Sequence, residues 1–417
     1  MFNALFRQDE IPLEYRSNFA HLYFDIGWFG ILSGSAVNFL NVYAARLGAS
    51  AFQIGLLAAV SAVVNLIFAI PAGRWIERRP VGKAVFWASV FYRIGFALWI
   101  PLPWLFGPQG QIWAFILIAL YMGIPLTALS VGFNVLFAAA VPPEWRAHVA
   151  GIRNVVLAIT FMGSSLVSGY LLNHMPFPGG YQFLFVIGFV GAAMSSLHLY
   201  FVRPLQEDLP PLPPPASKDG PSLDTQPRPW LWALRLDIWK TSFRRNLLVM
   251  LGFHLAQYLA IPLFSIFVVR DLHLNDDEIG IGTALFYLTV LLGSTQLNRL
   301  VRRAGHKSIT AYGAMGLALY PLLLALSAQP WHYYVLSLVG GGMWALVGGA
   351  YANYLLENCP PDDRPSHLAW YNLVLNAAIL FGSLIGPAVA ASTSFVAALL
   401  IFGLLRFLSG VAILKWG

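Results

Sequence analysis

The sequence predicts an all-α polytopic membrane protein with twelve transmembrane helices in two pseudo-symmetric six-helix bundles. Three observations predict it: twelve apolar runs, a one-sided distribution of Lys and Arg, and an internal repeat carried by polar residues. Of 417 residues, 58% are hydrophobic and 10% charged, against about 25% charged in ordinary soluble domains. That balance excludes a water-soluble enzyme and a disordered or fibrous chain. The single Cys359 excludes a disulfide framework and a thiolate metal cluster. Met1–Ser17 is polar, and no short apolar run with a small-residue cleavage site follows it, so the first hydrophobic segment is expected to be retained.

Apolar runs long enough to cross a bilayer lie near 18–41, 52–74, 83–105, 111–140, 149–172 and 181–202, then near 244–269, 279–298, 308–328, 331–356, 367–391 and 394–415. Barrel strands would alternate over about 10 residues, and these runs do not, so the spans are helices. Between the sixth and seventh runs, Pro204 to Pro229 holds nine prolines. Such a segment cannot form a helix and has little to bury, so it reads as an extended aqueous linker. In Trp230–Ser242, Trp232, Leu236 and Trp239 share one helical face while Arg235 and Lys240 point elsewhere, the pattern of a helix lying among headgroups. The expected division is an N-terminal bundle at 1–203, a linker at 204–242 and a C-terminal bundle at 243–417.

The basic residues set the orientation. Twenty-one of the 25 Lys and Arg fall at the termini or in even-numbered loops, among them Arg74, Arg146, Arg153, Arg235 and Lys307. Only Arg46 and Arg270 fall in odd-numbered loops, while Arg93 and Arg406 lie inside spans. Lys and Arg accumulate on the cytoplasmic side. Both termini and the linker are therefore expected in the cytoplasm, in a cytoplasmic (inner) membrane. The formal charge of +7 is accounted for by these anchors and calls for no nucleic-acid partner.

Pro142-Pro143-Glu144-Trp145-Arg146 after the fourth span recurs as Pro360-Pro361-Asp362-Asp363-Arg364 after the tenth, and Asn154, Ala158, Phe161 and Ser165 then map onto Asn372, Asn376, Ile379 and Ser383. Ahead of spans two and eight, Ser50-Ala51-Phe52-Gln53-Ile54-Gly55 answers Asn275-Asp276-Asp277-Glu278-Ile279-Gly280, and both resemble a capping box. Two parallel six-helix halves are a transporter plan, with the substrate between them near mid-bilayer.

The turn between spans two and three reads Gly73-Arg74-Trp75-Ile76-Glu77-Arg78-Arg79-Pro80-Val81-Gly82-Lys83. It resembles the cytoplasmic signature of the major facilitator superfamily: a Gly, three residues, an acid, a base, then Gly and further bases. Glu77 stands for the usual Asp, and Pro80 sits where Gly is expected. The turn after span eight keeps the later part, with Arg302, Arg303, Gly305 and Lys307, but Arg302 replaces the acid and the leading Gly is missing. With twelve spans, the repeat and the long middle loop, the resemblance covers nearly the whole chain. The turn reads as a latch in which basic residues such as Arg78 and Arg79 pair with Glu77 or with carbonyls at neighbouring helix ends and hold the inner face shut, while Arg302 in the acid's place, with Arg303, suggests a different latch in the second half. The plainer alternative is topological charge alone.

The resemblance implies a cavity lined by spans one, four, seven and ten. In span one, His21 and Asp25 share a face with Asn18, Phe29 and Tyr43, while Gly27, Gly30 and Gly34 lie broadly opposite and are expected to pack against a neighbour. Of the 18 Asp and Glu, Asp25 alone lies within a span, about 10 Å deep. An ionisable group there is a functional candidate by default, coupling or binding substrate on a face left to water or substrate; the alternatives are a structural ion pair with Arg93 and simple hydration near the cytoplasm. Span four offers Asn134, span seven His254, Gln257 and Tyr258, span ten Asn353, and span eleven Asn372 and Asn376. Hydrogen-bonding groups set among aromatics suit an organic solute.

These features point to a secondary active transporter that moves a small organic solute by alternating access. No Gly-rich phosphate loop is present, so an ion gradient or the solute's own gradient supplies the energy, with proton coupling through Asp25 or a His as a hypothesis. No metal or cofactor is implied, and a monomer in the lipid bilayer is the simplest assembly. Drug-efflux members of the family carry an Arg in span four and Gly-Pro in span five, and both are missing here. The rival reading is a membrane-embedded enzyme acting on lipid-linked substrates, which would want carboxylates at helical spacing at the membrane boundary.

Overall fold

A computed structural model describes residues 12–205 and 235–417, and within them every regular element is helical. α1 (Leu13–Leu32) passes through a π turn (Ser33–Val37) into α2 (Asn38–Arg46), and together these make the first span. α3 (Ala51–Glu77), α4 (Val81–Trp99), the short α5 (Leu102–Leu105), α6 (Pro108–Ala140), α7 (Pro143–His174) and α8 (Gly179–Phe201) complete the first half. The second half begins with a 3-10 turn (Leu236–Lys240) and α9 (Phe243–Ile266), which ends in its own π turn (Phe267–Asp271). α10 (Asp276–Leu317) reverses at Gly305, whose φ of 78° and ψ of 161° lie outside the helical region and suit a residue without Cβ. α10 therefore supplies span eight and, with α11 (Leu319–Ala325), span nine. α12 (Pro330–Glu357), α13 (Arg364–Ser392) and α14 (Phe395–Trp416) finish the chain.

Among the described residues, ten helices are long and apolar enough to cross a membrane. One of them, Asp276–Ala325, is folded in two at Gly305, and the first span adds its two pieces across the π turn. That gives twelve crossings. Of the headgroup helix expected at 230–242, the structure describes only 235–242. Residues 230–234, with Trp232, and most of the proline-rich stretch lie outside the described residues, and the remainder is the 3-10 turn. It is fastened to the second half. Arg235 donates to Asp363 at 2.8 Å and to Asp237 at 2.9 Å, holding the Asp237 carboxyl below the usual carboxylate range, while Trp239 meets Trp370 edge-on.

Lipid tails offer no hydrophobic drive for helix association, so close approach through small residues does that work. As expected, the glycine face of α1 packs on a neighbour. A Cβ on Gly30 would strike Thr160 of α7, and one on Gly34 would strike the Phe161 carbonyl and the Ser164 hydroxyl. The two halves use the same device. Gly55 of α3 lies against the Ser383 carbonyl of α13, and Gly280 of α10 lies against the Ser165 carbonyl of α7. These are the residues matched by the internal repeat. Both expected capping boxes form, Ser50 with Gln53 and Asn275 with Glu278. The repeat therefore marks the interface between the halves.

The apolar core shows how the halves meet. Toward the face opposite the termini, one buried cluster runs through both halves, from Leu32, Phe39 and Phe185 to Leu263, Phe267 and Leu336. Toward the termini it divides. Phe19, Leu22, Val85 and Leu136 form a cluster of the first half alone, and Phe243, Leu247, Met250 and Tyr354 form one of the second half alone. The molecule is joined at its far face and parted at the face bearing the termini.

Gly34→Leu is expected to lower stability by about 1–3 kcal/mol through overpacking against α7. Gly151→Leu, where a Cβ meets nothing within 4 Å, is expected to leave it unchanged. Thermal melting of the detergent-solubilised protein measures the difference.

Candidate functional site

Four helices of the first half converge on Asp25, which is 3% exposed. Arg153 of α7 reaches its Oδ2 at 3.1 Å, Arg93 of α4 lies 3.8 Å from Oδ1, and the Ser195 hydroxyl of α8 donates to Oδ1. Arg93 also donates to Ser195 and Ser196 at 2.7 Å each, and Arg153 donates to the Leu22 carbonyl at 2.7 Å and stacks over the Phe133 ring. The expectation that the Asp25 face is left to water is corrected here, because two guanidinium groups and a serine close over it. The pairing with Arg93 is present. Arg153, grouped above with loop charges, is a buried partner on α7. One carboxylate between two guanidinium groups leaves this interior with a surplus positive charge.

At the far face the two bases of the odd-numbered loops both cross between the halves. Arg46 ends α2 and donates to Asp276 at 2.8 Å and to the Leu274 carbonyl at 3.0 Å. The Tyr181 hydroxyl donates to the same Asp276 oxygen at 2.8 Å. Arg270 in the second π turn donates back to the carbonyls of Ala49 at 2.7 Å and Ala45 at 2.9 Å. Ala49 and Leu274 occupy matching places in the repeat, so each half offers the same carbonyl to the other's arginine. The turns that present them also match. Gly48 holds φ at 90° and His273 holds it at 52°, each closing the preceding helix with a left-handed residue. The symmetry breaks at one position: Asp276 gives Arg46 a carboxylate, whereas its counterpart Ala51 gives Arg270 none. These residues border an outer cavity of about 590 Å³.

The remaining sequence candidates fall into separate groups. His21 lies at the seam of α1 and α8, its Nδ1 3.0 Å from Nδ1 of His198, with Phe24 and Phe201 stacked on the pair. It therefore stands apart from the interface between the halves. His254 is buried, with Nε2 2.8 Å from the Tyr371 hydroxyl and Tyr351 near its ring. Gln257 is buried with its side-chain oxygen unpartnered, and Tyr258 beside it presses on Gly382. Asn134, Asn353 and Asn372 are exposed within their spans. Asn134 donates to the Ser130 carbonyl and Asn376 to the Asn372 carbonyl, one turn back on their own helices. In the latch turns, Glu77, Arg78, Arg302 and Arg303 are exposed, Arg79 stacks on Trp75 of its own helix, and Gly73 and Gly305 border open space. Among the described residues no ion pair joins those turns across the parted face.

Sequence reasoning missed the clamp and a second cavity, of about 220 Å³, which lies between Asn38 of α2 and Ser265, Thr283, Tyr320, Tyr333 and Ser337 of the second half. A signal for the clamp was present. Arg46 and Arg270 were the two bases that topology alone did not explain. The tyrosines and hydroxyls of the cavity are spread over spans seven to ten with no distinguishing pattern.

A family model described as Major Facilitator Superfamily matches residues 24–256 and 247–417. A cis,cis-muconate transport protein of Acinetobacter baylyi is 22% identical over 307 residues, covering 70% of this chain and 69% of that protein. Among solved structures, a bacterial homologue of the iron transporter ferroportin in an inward-facing state superposes with a TM-score of 0.70 at 15% identity, over 97% of this chain and 99% of that one. The inward-open xylose transporter XylE of E. coli gives a TM-score of 0.67 at 16% identity, over 96% and 94%. The nucleoside transporter NupG gives 0.65 at 13%, over 97% and 100%.

Breaking a buried ion pair by removing one partner costs about 3–5 kcal/mol. Asp25→Asn strands two arginines and is expected to cost more than Arg153→Gln, which leaves Asp25 with Arg93. The double variant is expected to melt above Asp25→Asn alone, and a double-mutant cycle of melting temperatures checks this.

Proposed function

The chain belongs to the Major Facilitator Superfamily, and from that premise we propose that it is a secondary transporter carrying a small organic solute across the cytoplasmic membrane by alternating access. The family assigns it to transport and not to catalysis, and the lipid-linked enzyme reading is set aside. The two bundles, 1–203 and 243–417, rock about the cavity between them, joined by the 204–242 linker on the cytoplasmic side, where both termini also lie. The observation that carries this reading is the core, continuous through both halves at the far face and split in two at the face bearing the termini. With the basic turns on the parted side, the conformation is inward-facing: the Arg46 and Arg270 clamp closes the outer gate and the latch turns await closure. The exposed asparagines, Asn134, Asn353 and Asn372, and the half-buried Asn376 supply hydrogen-bonding groups along the inner vestibule. The muconate relative makes an organic acid the first class to test. The protein works as a monomer, each chain holding its own passage.

Proton coupling is the favoured energy source. In this conformer Arg93, Arg153 and Ser195 close over Asp25, so it takes part in coupling only if substrate or rocking draws an arginine away. Identical substrate-driven proton flux for the wild type and Asp25→Asn in proteoliposomes removes Asp25 from coupling.

The clamp predicts gating. A charge-assisted hydrogen bond is worth about 1.5–3 kcal/mol, so loss of Arg46 shifts the conformational balance on the order of tenfold or more. In a Cys359→Ser background, Val42→Cys, buried beneath the clamp, is expected to react faster with a membrane-impermeant thiol reagent from outside when Arg46→Gln is added. Ala51→Asp, which offers Arg270 the carboxylate that Asp276 offers Arg46, is expected to slow the same reaction. Unchanged rates in both would refute the gate.

A further inference from the structure

The 220 Å³ cavity beneath the clamp is walled by both halves. Its lining is rich in hydroxyls, with Ser265, Thr283, Ser337, Tyr287, Tyr320 and Tyr333 all bordering it. Gly282 makes room for the Tyr333 ring, since a Cβ there would meet it. On the side toward the parted face, Tyr287, which also lines the cavity, stacks on Phe161 across the interface with ring centroids 4.0 Å apart. The volume lies under the roughly 300 Å³ at which drug-sized pockets begin, so the occupant is small.

Behind one wall stands Arg406. It is 2% exposed, and its guanidinium lies 5.3 Å from the centre of the Phe264 ring, a residue that lines the cavity. Its N–H groups go to the carbonyls of Gln257 at 2.7 Å, Ala256 at 3.2 Å and Leu317 at 3.5 Å. Carbonyl dipoles orient toward a cation without cancelling its charge. Among the described residues no carboxylate pairs with Arg406, and no acid lines the cavity. A buried, un-neutralised cation beside a hydroxyl-lined cavity favours one kind of guest. A neutral polyol gains the hydrogen bonds alone, whereas an anion also gains the Coulomb attraction, which is strong away from water.

We propose that this cavity binds the carboxylate of a small organic acid, with the Tyr320, Tyr333 and Ser337 hydroxyls donating to it and Arg406 supplying positive potential from behind Phe264. The proposal rests on the transporter reading and gives it a location and a charge. Asn38 enters the site from the first half, so the site is complete only when the outer gate is closed.

The test uses the full-length protein in detergent, with cis,cis-muconate, adipate and the neutral dimethyl ester of muconate as calorimetric probes. Tyr333→Phe and Ser337→Ala each remove one hydroxyl and keep the shape. Each is expected to weaken acid binding about ten- to a hundredfold, as for a hydrogen bond to a charged group. Arg406→Lys is expected to retain binding and Arg406→Gln to lose it. Should Arg406→Gln fail to fold, the two hydroxyl variants decide. Unchanged acid affinity in both hydroxyl variants, ester binding as tight as acid binding, or no binding of either acid would overturn the proposal. Uptake by wild-type proteoliposomes separates the two readings. Uptake with unaltered binding in the variants removes the site and leaves the transporter, whereas variant-sensitive binding without uptake of any probe keeps the site and removes the transporter.

Discussion

The rest of the structure depends on the contact between the two halves at the far face, where two arginines cross in opposite directions over a shared apolar core. Each reaches a backbone carbonyl that occupies the same place in the other half's repeat, Arg46 to Leu274 and Arg270 to Ala49. The approach is close enough for such bonds because Gly55 and Gly280 let α3 and α10 lie against the carbonyls of Ser383 and Ser165. Packing, hydrogen bonding and charge all act at one end of the molecule. The other end, with its apolar clusters separated and its basic turns exposed, is left free to move.

That arrangement is asymmetric in strength. Arg46 meets a carboxylate also held by Tyr181, whereas Arg270 meets carbonyls alone. A gate that must open repeatedly is served by contacts that are strong in sum and individually replaceable by water, since exposed ends of helices rehydrate readily. The buried charges differ in this respect. Arg93 and Arg153 share Asp25, and Arg406 has only carbonyls, so the interior of each half carries excess positive charge that water does not reach easily. In a medium of low dielectric that excess is the physical basis of the proposed preference for an anion.

Much of the fold was legible because the membrane constrains it so tightly. Backbone groups in hydrocarbon must be satisfied within the segment, so apolar runs become helices at nearly the lengths read from sequence, and the repeat showed up in polar residues such as Ser50, Asn275, Ser165 and Ser383. Gly305 was legible as a turn residue, and its positive φ divides one continuous helical stretch into two spans. The site was less legible. Asp25 stood out as the one acid within a span, yet its face turned inward because Arg153, which by position alone looked like a surface charge, points into the bundle. His21 found His198 and not the passage. The cavity hydroxyls of Tyr320, Tyr333 and Ser337 resemble ordinary packing residues along their helices.

By itself the sequence determined the number of crossings, their likeness in two halves, and the side on which positive charge gathers, since hydropathy, repetition and charge bias are properties of the chain read in order. Tertiary structure alone decided which charges meet, which face of each span looks into the passage, and which end of the molecule is closed. Those outcomes depend on how helices rotate against one another, and a helix places its residues around a full circle without saying which side its neighbour will take.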